Sequence, residues 1–306
     1  MKIDTALIGL GKIGMGYDYF STKKIKSHAN AIKRNKNFNL ISAVDNSLIK
    51  RKLFQKKFKI KAFKTISNAL NISKPELVII ATPIKSHYSI LKSVIKKKYI
   101  KYIICEKPLT DEVSKTKNIL KKINQKKKAL FVNYIRQCDP IIEKTLNNNK
   151  NFLLKNSTKV KVFYYENILN NASHFILLFT KLFGYPKKIQ LKNTNNKKKK
   201  NFRYDFDLVF KKNNKVSFFS VRKKQKINHE IVIDNKIKKI KFAFSSNKIL
   251  VYNNKKKSSL KTHMHYSQKN VLDNVLLHIK DKKNYPVLNK DVLNTEKIID
   301  KIVSKI

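Results

Sequence analysis

Apolar runs alternate with amphipathic stretches in the N-terminal part of the chain. The apolar runs predict strands at residues 3–8, 38–44, 59–63, 77–81, 99–105 and 129–134. Helices are predicted between them, at residues 27–34, 47–57, 67–71 and 86–97 and after Thr110. The run 77–81 is apolar at every position, which is typical of a strand buried on both faces of a parallel sheet. Strands that alternate with helices imply βαβ units, and therefore a doubly wound parallel sheet.

The pattern changes in the second half of the chain. A strand at 159–165 and an apolar helix at 176–183 precede the helix stop Gly184-Tyr185-Pro186. Short alternating segments, separated by turns rich in Asn and Lys, then predict strands at residues 188–191, 203–210, 216–222, 229–233, 237–244 and 249–252. A further helix is predicted at 268–280. The pattern therefore favours an open, mainly antiparallel sheet flanked by helices.

The length of 306 residues and the hydrophobic fraction of 42% suit two domains. We expect a Rossmann-type α/β domain at residues 1–137 and an α+β domain at residues 138–306. No apolar run reaches membrane-spanning length, and the N-terminal strand lacks the pattern of a signal peptide. The two cysteines, Cys105 and Cys138, form no CxxC motif and suggest no disulfide framework. The expected location is the cytoplasm, with no membrane partner.

The chain has 70 Lys and Arg against 19 Asp and Glu, a formal net charge of +51. A charge of this size is compatible with nucleic acid or another anionic surface. The lysines occur along the whole chain, however, together with many Asn and Ile, the set that AT-rich codons favour. We interpret the charge as solvated faces and expect no specific nucleic-acid site. Steering of an anionic substrate or cofactor requires no further assumption.

Four of the 5 glycines, Gly9, Gly11, Gly14 and Gly16, follow the first predicted strand directly. The first three fill the pattern G-x-G-x-x-G, which after a strand indicates dinucleotide binding rather than a glycine-rich turn without a ligand. Gly9 would form the tight turn, Gly11 would admit the pyrophosphate, and Gly14 would let helix and strand pack closely. The amides expected to point at phosphate oxygens are those of Lys12 and Ile13.

An acidic residue ends the second predicted strand. Asp45 follows residues 38–44, where a carboxylate can accept both hydroxyls of an adenosine ribose, which favours NAD over NADP. An insertion after Gly16 accounts for a distance from the glycines greater than the usual ~20 residues. Two alternatives stay open: Asp45 caps the following helix, or Arg51 and nearby lysines accept the 2′-phosphate of NADP.

Further motifs lie at the ends of later strands. They are Ala81-Thr82-Pro83 with His87, Glu106-Lys107-Pro108-Leu109, and Asn133-Tyr134-Ile135-Arg136 followed by Asp139-Pro140. With the glycine motif, they make roughly the first 140 residues resemble the glucose–fructose oxidoreductase / inositol dehydrogenase / MocA family of NAD(P)-dependent oxidoreductases. The last motif is similar to the branch associated with sugar and surface-polysaccharide metabolism.

The resemblance implies further site residues. Implied cofactor contacts, beyond the glycine motif and Asp45, are Ala81, Thr82, Pro83, His87, Glu106, Lys107 and Arg136. Implied substrate contacts are Lys107, Asn133, Arg136, Asn170 and His174. In this family the Lys-Pro bond is often cis, and the lysine is expected in the active site. The segment 286–306 resembles the closing helix of the family.

The expected chemistry needs a base beside the hydroxyl whose carbon gives up a hydride to the nicotinamide. Lys107 is the first candidate, because desolvation at a strand end facing the cofactor would lower its pKa towards neutrality. In the family, a later helix carries an Asp and, four residues on, a His, both facing the substrate. His174 matches this histidine, but Asn170 stands in place of the Asp. An amide takes up no proton, so the acid–base role would fall to His174 or Lys107; the alternative for His174 is a core histidine.

We therefore expect an NAD-dependent oxidoreductase, with NADP as the alternative cofactor, acting on a sugar or nucleotide sugar. His263 and His265 could form a metal pair, but without a further ligand nearby we expect loop residues near the substrate and no metal. Homo-oligomerisation through the C-terminal sheet is implied by the resemblance, although its lysines would repel one another. The alternatives are a non-catalytic dinucleotide-binding fold, a basic nucleic-acid-binding protein, or a reductase of a non-sugar carbonyl.

Overall fold

The computed structural model describes residues 2–21, 23–155, 158–165, 167–192, 204–221, 229–235, 237–253 and 256–304. The chain forms two compact units, each built from two segments. The first comprises Met1–Cys138 and His265–Asn289, and the second comprises Asp139–Met264 and Lys290–Ile306. None of the described helices is long and apolar enough to cross a membrane.

Parallel strands form the sheet of the first unit, in the order β3-β2-β1-β4-β5-β6. They are β1 (Ile3–Ile8), β2 (Phe38–Val44), β3 (Ala62–Phe63), β4 (Leu77–Ile80), β5 (Tyr102–Glu106) and β6 (Ala129–Asn133). Ile8 of β1 pairs with Val44 on one side and Ile80 on the other. This confirms the predicted doubly wound sheet. In such a sheet, ligands bind beyond the carboxyl ends of the strands where the order reverses, here between β1 and β4.

The described residues also form ten helices. They are α1 (His28–Arg34), α2 (Leu48–Phe58), α3 (Ile66–Ser73), α4 (Ile84–Val94), α5 (Val113–Gln125), α6 (Pro140–Asn148), α7 (Lys150–Leu153), α8 (Ser173–Phe183), α9 (Ser267–Asp281) and α10 (Asn289–Ser304). Side-chain oxygens of Ser27, Ser47 and Thr65 each accept the amide three residues further on, which fixes the starts of α1, α2 and α3.

The second unit contains a sheet in the order β14-β13-β12-β11-β7-β10-β9-β8. Its strands are β7 (Lys159–Tyr165), β8 (Lys188–Lys192), β9 (Asp205–Val209), β10 (Lys215–Val221), β11 (Glu230–Asp234), β12 (Lys238–Ala243), β13 (Lys248–Asn253) and β14 (Lys256–Lys261). Neighbours are antiparallel except β7 and β10, so the mainly antiparallel prediction is confirmed. The ends of two predicted strands, Arg203 and Arg222, lie outside the described residues.

Helices cover one face of this second sheet. Phe175 and Phe179 of α8 belong to one apolar cluster with Phe206 and Phe218, whose rings stack at 4.5 Å between centroids. Residues of α6 and α10 complete the same cluster. The two-residue alternation of the strands therefore places their apolar positions against helices, as the sequence pattern indicates.

Asp207 is a buried carboxylate in β9, next in sequence to the core residues Phe206 and Leu208. Its oxygens lie 2.6 Å from the Lys192 ammonium and 3.4 Å from that of Lys215. Burial raises the pKa of Asp207, but hydrogen bonds from Lys192 and Ser217, with the two lysine charges, outweigh burial and leave the pKa below its ordinary value. The ionised carboxylate is therefore the form that the folded protein favours.

We expect Asp207→Asn to destabilise the protein near neutral pH and to have a smaller effect in acid. Because the folded pKa is depressed, the stabilisation is complete above the unfolded value of about 4 and is lost as the pH falls through the folded value. Thermal unfolding of both proteins across this pH range measures the effect, with the exposed Asp300→Asn as control. A difference in Tm that stays constant with pH would contradict the prediction.

Candidate active site

The glycine turn follows β1 and touches the end of β4. Gly9 has a φ of +100°, and its amide donates to the Val44 carbonyl at 2.8 Å. A Cβ on Gly9 would collide with the Ala81 carbonyl oxygen, and a Cβ on Gly14 would collide with the Gly9 carbonyl oxygen. Gly9 must therefore be glycine for its backbone angle and for its contact with Ala81, and Gly14 must be glycine for its contact with Gly9.

Gly11 has a different environment. A Cβ built on Gly11 would find no heavy atom within 4 Å. The Met15 amide donates to the Gly11 carbonyl at 2.9 Å, so a helical turn starts here. Within the described residues, the amides of Lys12 and Ile13 donate no hydrogen bond. Open space before unused amides at the start of a helical turn fits the phosphates of a dinucleotide.

Asp45 holds the turn and the next helix together. Its Oδ2 accepts the Leu10 amide at 2.9 Å, and its Oδ1 accepts the Ser47 amide at 2.9 Å. The Lys50 ammonium lies 3.9 Å from Oδ2, and Arg51 donates to the Asp45 carbonyl at 2.9 Å. Ser47 is the N-cap of α2, so Asp45 does not cap that helix itself but binds the amide of its N-cap residue. Each carboxylate oxygen can accept a second hydrogen bond, so contact with a ribose stays a prediction.

The insertion interrupts the helix that follows the turn. The His28 amide donates to the Ile13 carbonyl at 3.0 Å, and the Ala29 amide donates to the Gly14 carbonyl at 2.9 Å. These are the i and i+4 partners of an α-helix once residues 17–27 are left out. Helix α1 therefore continues the hydrogen-bond ladder of the glycine turn.

Asp18 anchors the inserted residues. It is 2% exposed, and its Oδ2 accepts the amides of Lys26 at 2.7 Å and Ser27 at 3.1 Å. The Ser27 hydroxyl donates to Oδ1, and Asn30 of α1 donates to the Asp18 carbonyl at 3.0 Å. The insertion is thus fixed to the start of α1 at both backbone and side chain.

The end of β4 carries three of the implied cofactor residues. The Ala81 amide donates to the Ile8 carbonyl at 2.7 Å, which keeps it beside the glycine turn. The Thr82 hydroxyl accepts a hydrogen bond from the Ser86 hydroxyl at 2.8 Å. Pro83 is the N-cap of α4, so the helix begins directly after it.

His87 lies beneath this strand end and is 1% exposed. Its Nε2 is 2.8 Å from the Thr82 carbonyl oxygen, and its Nδ1 is 3.0 Å from the Pro108 carbonyl oxygen. The structure therefore places His87 between the end of β4 and the Glu-Lys-Pro corner after β5, where it links two backbone segments. Contact between His87 and a cofactor stays a prediction.

Glu106 lies at the centre of a buried polar network. Its Oε1 is 2.8 Å from His28 Nε2 and accepts a hydrogen bond from Asn133 Nδ2 at 2.6 Å. Asn133, which is 1% exposed, also donates to Gln268 Oε1 at 3.0 Å. His28 and Gln268 carry no local signal in the sequence for this network, because they lie 78 and 135 residues away from their partners. Contact of Asn133 with a substrate stays a prediction.

Lys107 follows Glu106 and is partly buried. The Lys107–Pro108 bond is cis, as the resemblance implies. After β6, burial lowers the pKa of Arg136 to about 10, so its guanidinium stays charged near neutral pH. A cation is therefore present after β6, in the segment to which the sequence assigns cofactor or substrate contacts.

In the second unit, His174 lies in the first turn of α8 and is 4% exposed. A π-helical segment, Ile168–Ala172, precedes it and contains Asn170, which is exposed. The sequence predicts that the two side chains share one α-helical face. The wider π-helical turn breaks the α-helical spacing before His174, and the two residues differ in burial. Their contacts with a substrate stay predictions.

The histidines of the His-x-His motif divide between the two units. The His263 amide donates to Asp139 Oδ2 at 2.7 Å within the second unit. In the first unit, the His265 carbonyl accepts the Ile25 amide at 3.0 Å. Of the side chains that the structure describes, no three His, Cys, Asp or Glu are grouped to hold a metal ion.

Residues 3–134 match the model of the GFO_IDH_MocA family, described as an oxidoreductase family with an NAD-binding Rossmann fold. No curated protein matches the chain significantly by sequence. Many solved structures do match the fold. UDP-N-acetylglucosamine 3-dehydrogenase from Acidithiobacillus ferrooxidans has a TM-score of 0.81 and 12% identity, over 100% of this chain and 98% of that one.

Two further structures were solved with a nicotinamide cofactor. An oxidoreductase from Agrobacterium radiobacter, in complex with NAD+, L-tartaric acid and magnesium, has a TM-score of 0.76 and 15% identity, over 98% of this chain and 95% of that one. Biliverdin reductase from Synechocystis sp. PCC 6803, with biliverdin and NADP+, has a TM-score of 0.75 and 15% identity, over 99% of this chain and 98% of that one. At these identities the likeness establishes the fold.

Proposed function

From the premise that residues 3–134 belong to the GFO_IDH_MocA family of NAD-binding oxidoreductases, we propose that the chain interconverts a hydroxyl and a keto group on a sugar or nucleotide sugar. The open space at Gly11, in front of the unused amides of Lys12 and Ile13, carries the cofactor part of this proposal. The Glu-Lys-Pro corner, at the carboxyl end of β5, carries the catalytic part.

A nucleotide sugar suits two observations. One structural neighbour is a UDP-N-acetylglucosamine 3-dehydrogenase, whose name gives it a substrate of this class. The formal net charge of +51 would attract an anionic diphosphate and raise its encounter rate. Both observations favour a nucleotide-linked sugar over a neutral one.

The chain's own residues would bind and orient the reactants. Bound NAD would supply the hydride chemistry at the reacting carbon. Lys107 would hydrogen-bond the reacting hydroxyl and exchange its proton. Asp45 would use its remaining acceptor capacity for the adenosine ribose, while continuing to hold Leu10 and Ser47. That His174 acts on the same hydroxyl as Lys107 stays a prediction.

The first test is fluorescence titration with NADH and NADPH. We expect NADH to bind more tightly, because the carboxylate of Asp45 disfavours a 2′-phosphate while Arg51 is turned to the backbone carbonyls of Asp45 and Asn46. A panel of sugars and nucleotide sugars is then assayed by nicotinamide absorbance, with neutral sugars as the matched comparison. Absence of binding to either nucleotide would refute the proposal.

Two alternatives have specific support. The first alternative is a reductase of a non-sugar carbonyl: one structural neighbour, a biliverdin reductase, is named for a substrate that is not a sugar, and adding non-sugar carbonyls to the same panel tests this alternative. The formal net charge of +51 is the observation behind the second alternative, a non-catalytic, nucleic-acid-binding protein. That alternative requires DNA or RNA binding that weakens steeply with salt, together with no dehydrogenase activity on the panel.

A further inference from the structure

We propose that His28 is a positioning residue that orients Glu106 towards the cofactor and ties the glycine turn to the strand end that carries Lys107. This inference rests on the proposed function, since it assigns His28 a part in cofactor binding. His28 lies in α1, the helix that resumes after the insertion, and none of the sequence motifs assigns a role to its side chain.

The backbone of His28 is fixed to the glycine turn. Its amide donates to the Ile13 carbonyl at 3.0 Å, and Ser27 before it is the N-cap of α1. Asp18 binds the Ser27 amide and hydroxyl, so the inserted segment cannot pull away from the helix start without losing these bonds. The imidazole of His28 therefore starts from a backbone position set by the dinucleotide motif.

The hydrogen bonds specify which ring nitrogen carries the hydrogen. Glu106 Oε1 lies 2.8 Å from His28 Nε2 and 2.6 Å from Asn133 Nδ2. A carboxylate oxygen only accepts, so Nε2 must donate. If the hydrogen were on Nδ1 alone, two acceptors would face each other at 2.8 Å. Among the described residues, His28 Nδ1 has no hydrogen-bond partner, so a hydrogen on Nδ1 would form no hydrogen bond.

The network leaves one oxygen of Glu106 for a ligand. His28 and Asn133 both direct their hydrogen bonds to Oε1. No described residue donates to Oε2, and the Glu106 side chain is 14% exposed whereas the His28 ring is 1% exposed. Two donors on one oxygen fix the carboxylate plane, and hence the place of the other oxygen. A hydroxyl of the cofactor is the donor that suits Oε2 at this strand end.

A purely structural role for His28 predicts lower stability with unchanged cofactor affinity, whereas the positioning role predicts weaker cofactor binding. His28→Leu removes the donor at similar size. We expect the Kd for NADH to rise on the order of tenfold, since a hydrogen bond to a charged group is lost. His28→Gln should restore most of the affinity, because its amide nitrogen reaches about as far as Nε2, whereas His28→Asn is too short to restore it.

The measurements are fluorescence titration with NADH and thermal unfolding of each variant. Asn30→Ala is the matched control: it removes a buried hydrogen bond of the same helix that does not involve Glu106, and should lower Tm without changing the Kd. In a Glu106→Ala background, His28→Leu should have no further effect on the Kd. Independently of cofactor, ¹⁵N NMR of the imidazole should show the Nε2–H tautomer.

The outcomes separate the two proposals. If the wild-type protein binds no NADH, the proposed function fails, and the positioning role fails with it. If the wild type binds NADH and His28→Leu binds it equally well, or if His28→Gln and His28→Asn lose the same affinity, only the inference about His28 is overturned. Should His28→Leu fail to fold, the comparison of the Gln and Asn substitutions still decides.

Discussion

Lys107→Ala is expected to lower turnover by on the order of 10²–10⁴ while NADH binding survives, if Lys107 exchanges the proton of the reacting hydroxyl. The glycine turn, Asp45 and Glu106 would still be available to bind the cofactor, because none of them depends on the Lys107 side chain. Only the proton exchange between Lys107 and the reacting hydroxyl would be lost. The effect should therefore appear in kcat, measured on the best substrate of the panel, and leave the Kd for NADH close to that of the wild type.

Two further variants give this experiment its contrast. Lys107→Met keeps the length of the side chain without its charge, so turnover should fall as it does for Lys107→Ala. Lys121→Ala removes an exposed lysine on α5 and controls for net charge; it should be indistinguishable from wild type. Full turnover in Lys107→Met would rule out a proton-exchanging role for Lys107. Equal losses of binding and turnover would indicate a role in assembling the site instead.

Gly14→Ala is expected to lower the stability of the fold, whereas Gly11→Ala is expected to weaken cofactor binding. A Cβ on Gly14 would collide with the Gly9 carbonyl oxygen and lie 3.0 Å from the Gly9 carbonyl carbon, both backbone atoms that cannot move aside. Overpacking of this kind costs about 1–3 kcal/mol, so Gly14→Ala should unfold more easily. A Cβ on Gly11 meets no heavy atom within 4 Å, so Gly11→Ala should unfold like the wild type.

The methyl group of Gly11→Ala should instead occupy the space that the diphosphate needs, and weaken NADH binding about 10- to 100-fold. Gly16→Ala, whose nearest contact is an ordinary 3.6 Å, is the control and should be near neutral in both measurements. Thermal unfolding and NADH titration of the three proteins form one data set. Wild-type affinity in Gly11→Ala would show that the phosphates do not lie against this glycine.

The first sheet could be predicted because its signals are local. The strand Ile3–Ile8 runs directly into Gly9, and Leu77–Ile80 is apolar at every position, so burial and turn coincide in the sequence itself. Some strand ends differ from the prediction: the strand predicted at 99–105 is Tyr102–Glu106. The helix predicted at 86–97 begins already at Ile84, because the φ of Pro83, −61°, suits the extended residue before a helix.

Elements held by distant partners gave weaker signals. Strand β14, Lys256–Lys261, has no apolar alternation because every position is exposed at the sheet edge, and only pairing with β13 makes it a strand. The helix predicted at 176–183 begins at Ser173, which brings His174 inside it. The contact of Glu106 with His28 depends on the packing of α1 beside the sheet, and its contact with Asn133 depends on the pairing of β5 with β6. No local spacing in the sequence expresses either.

The backbone hydrogen bonds from His28 and Ala29 to Ile13 and Gly14 join the glycine turn to α1 across the inserted residues. The inserted residues interrupt the helix without changing its hydrogen-bond register, so the helical turns on either side do not depend on the number of inserted residues. The residues between Asp18 and Lys26 can be lengthened or exchanged while Asp18 and Ser27 keep the start of α1 in place. Residues 19–25 are therefore the place where such a protein can acquire new surface chemistry next to the glycine turn without rebuilding the fold that holds it.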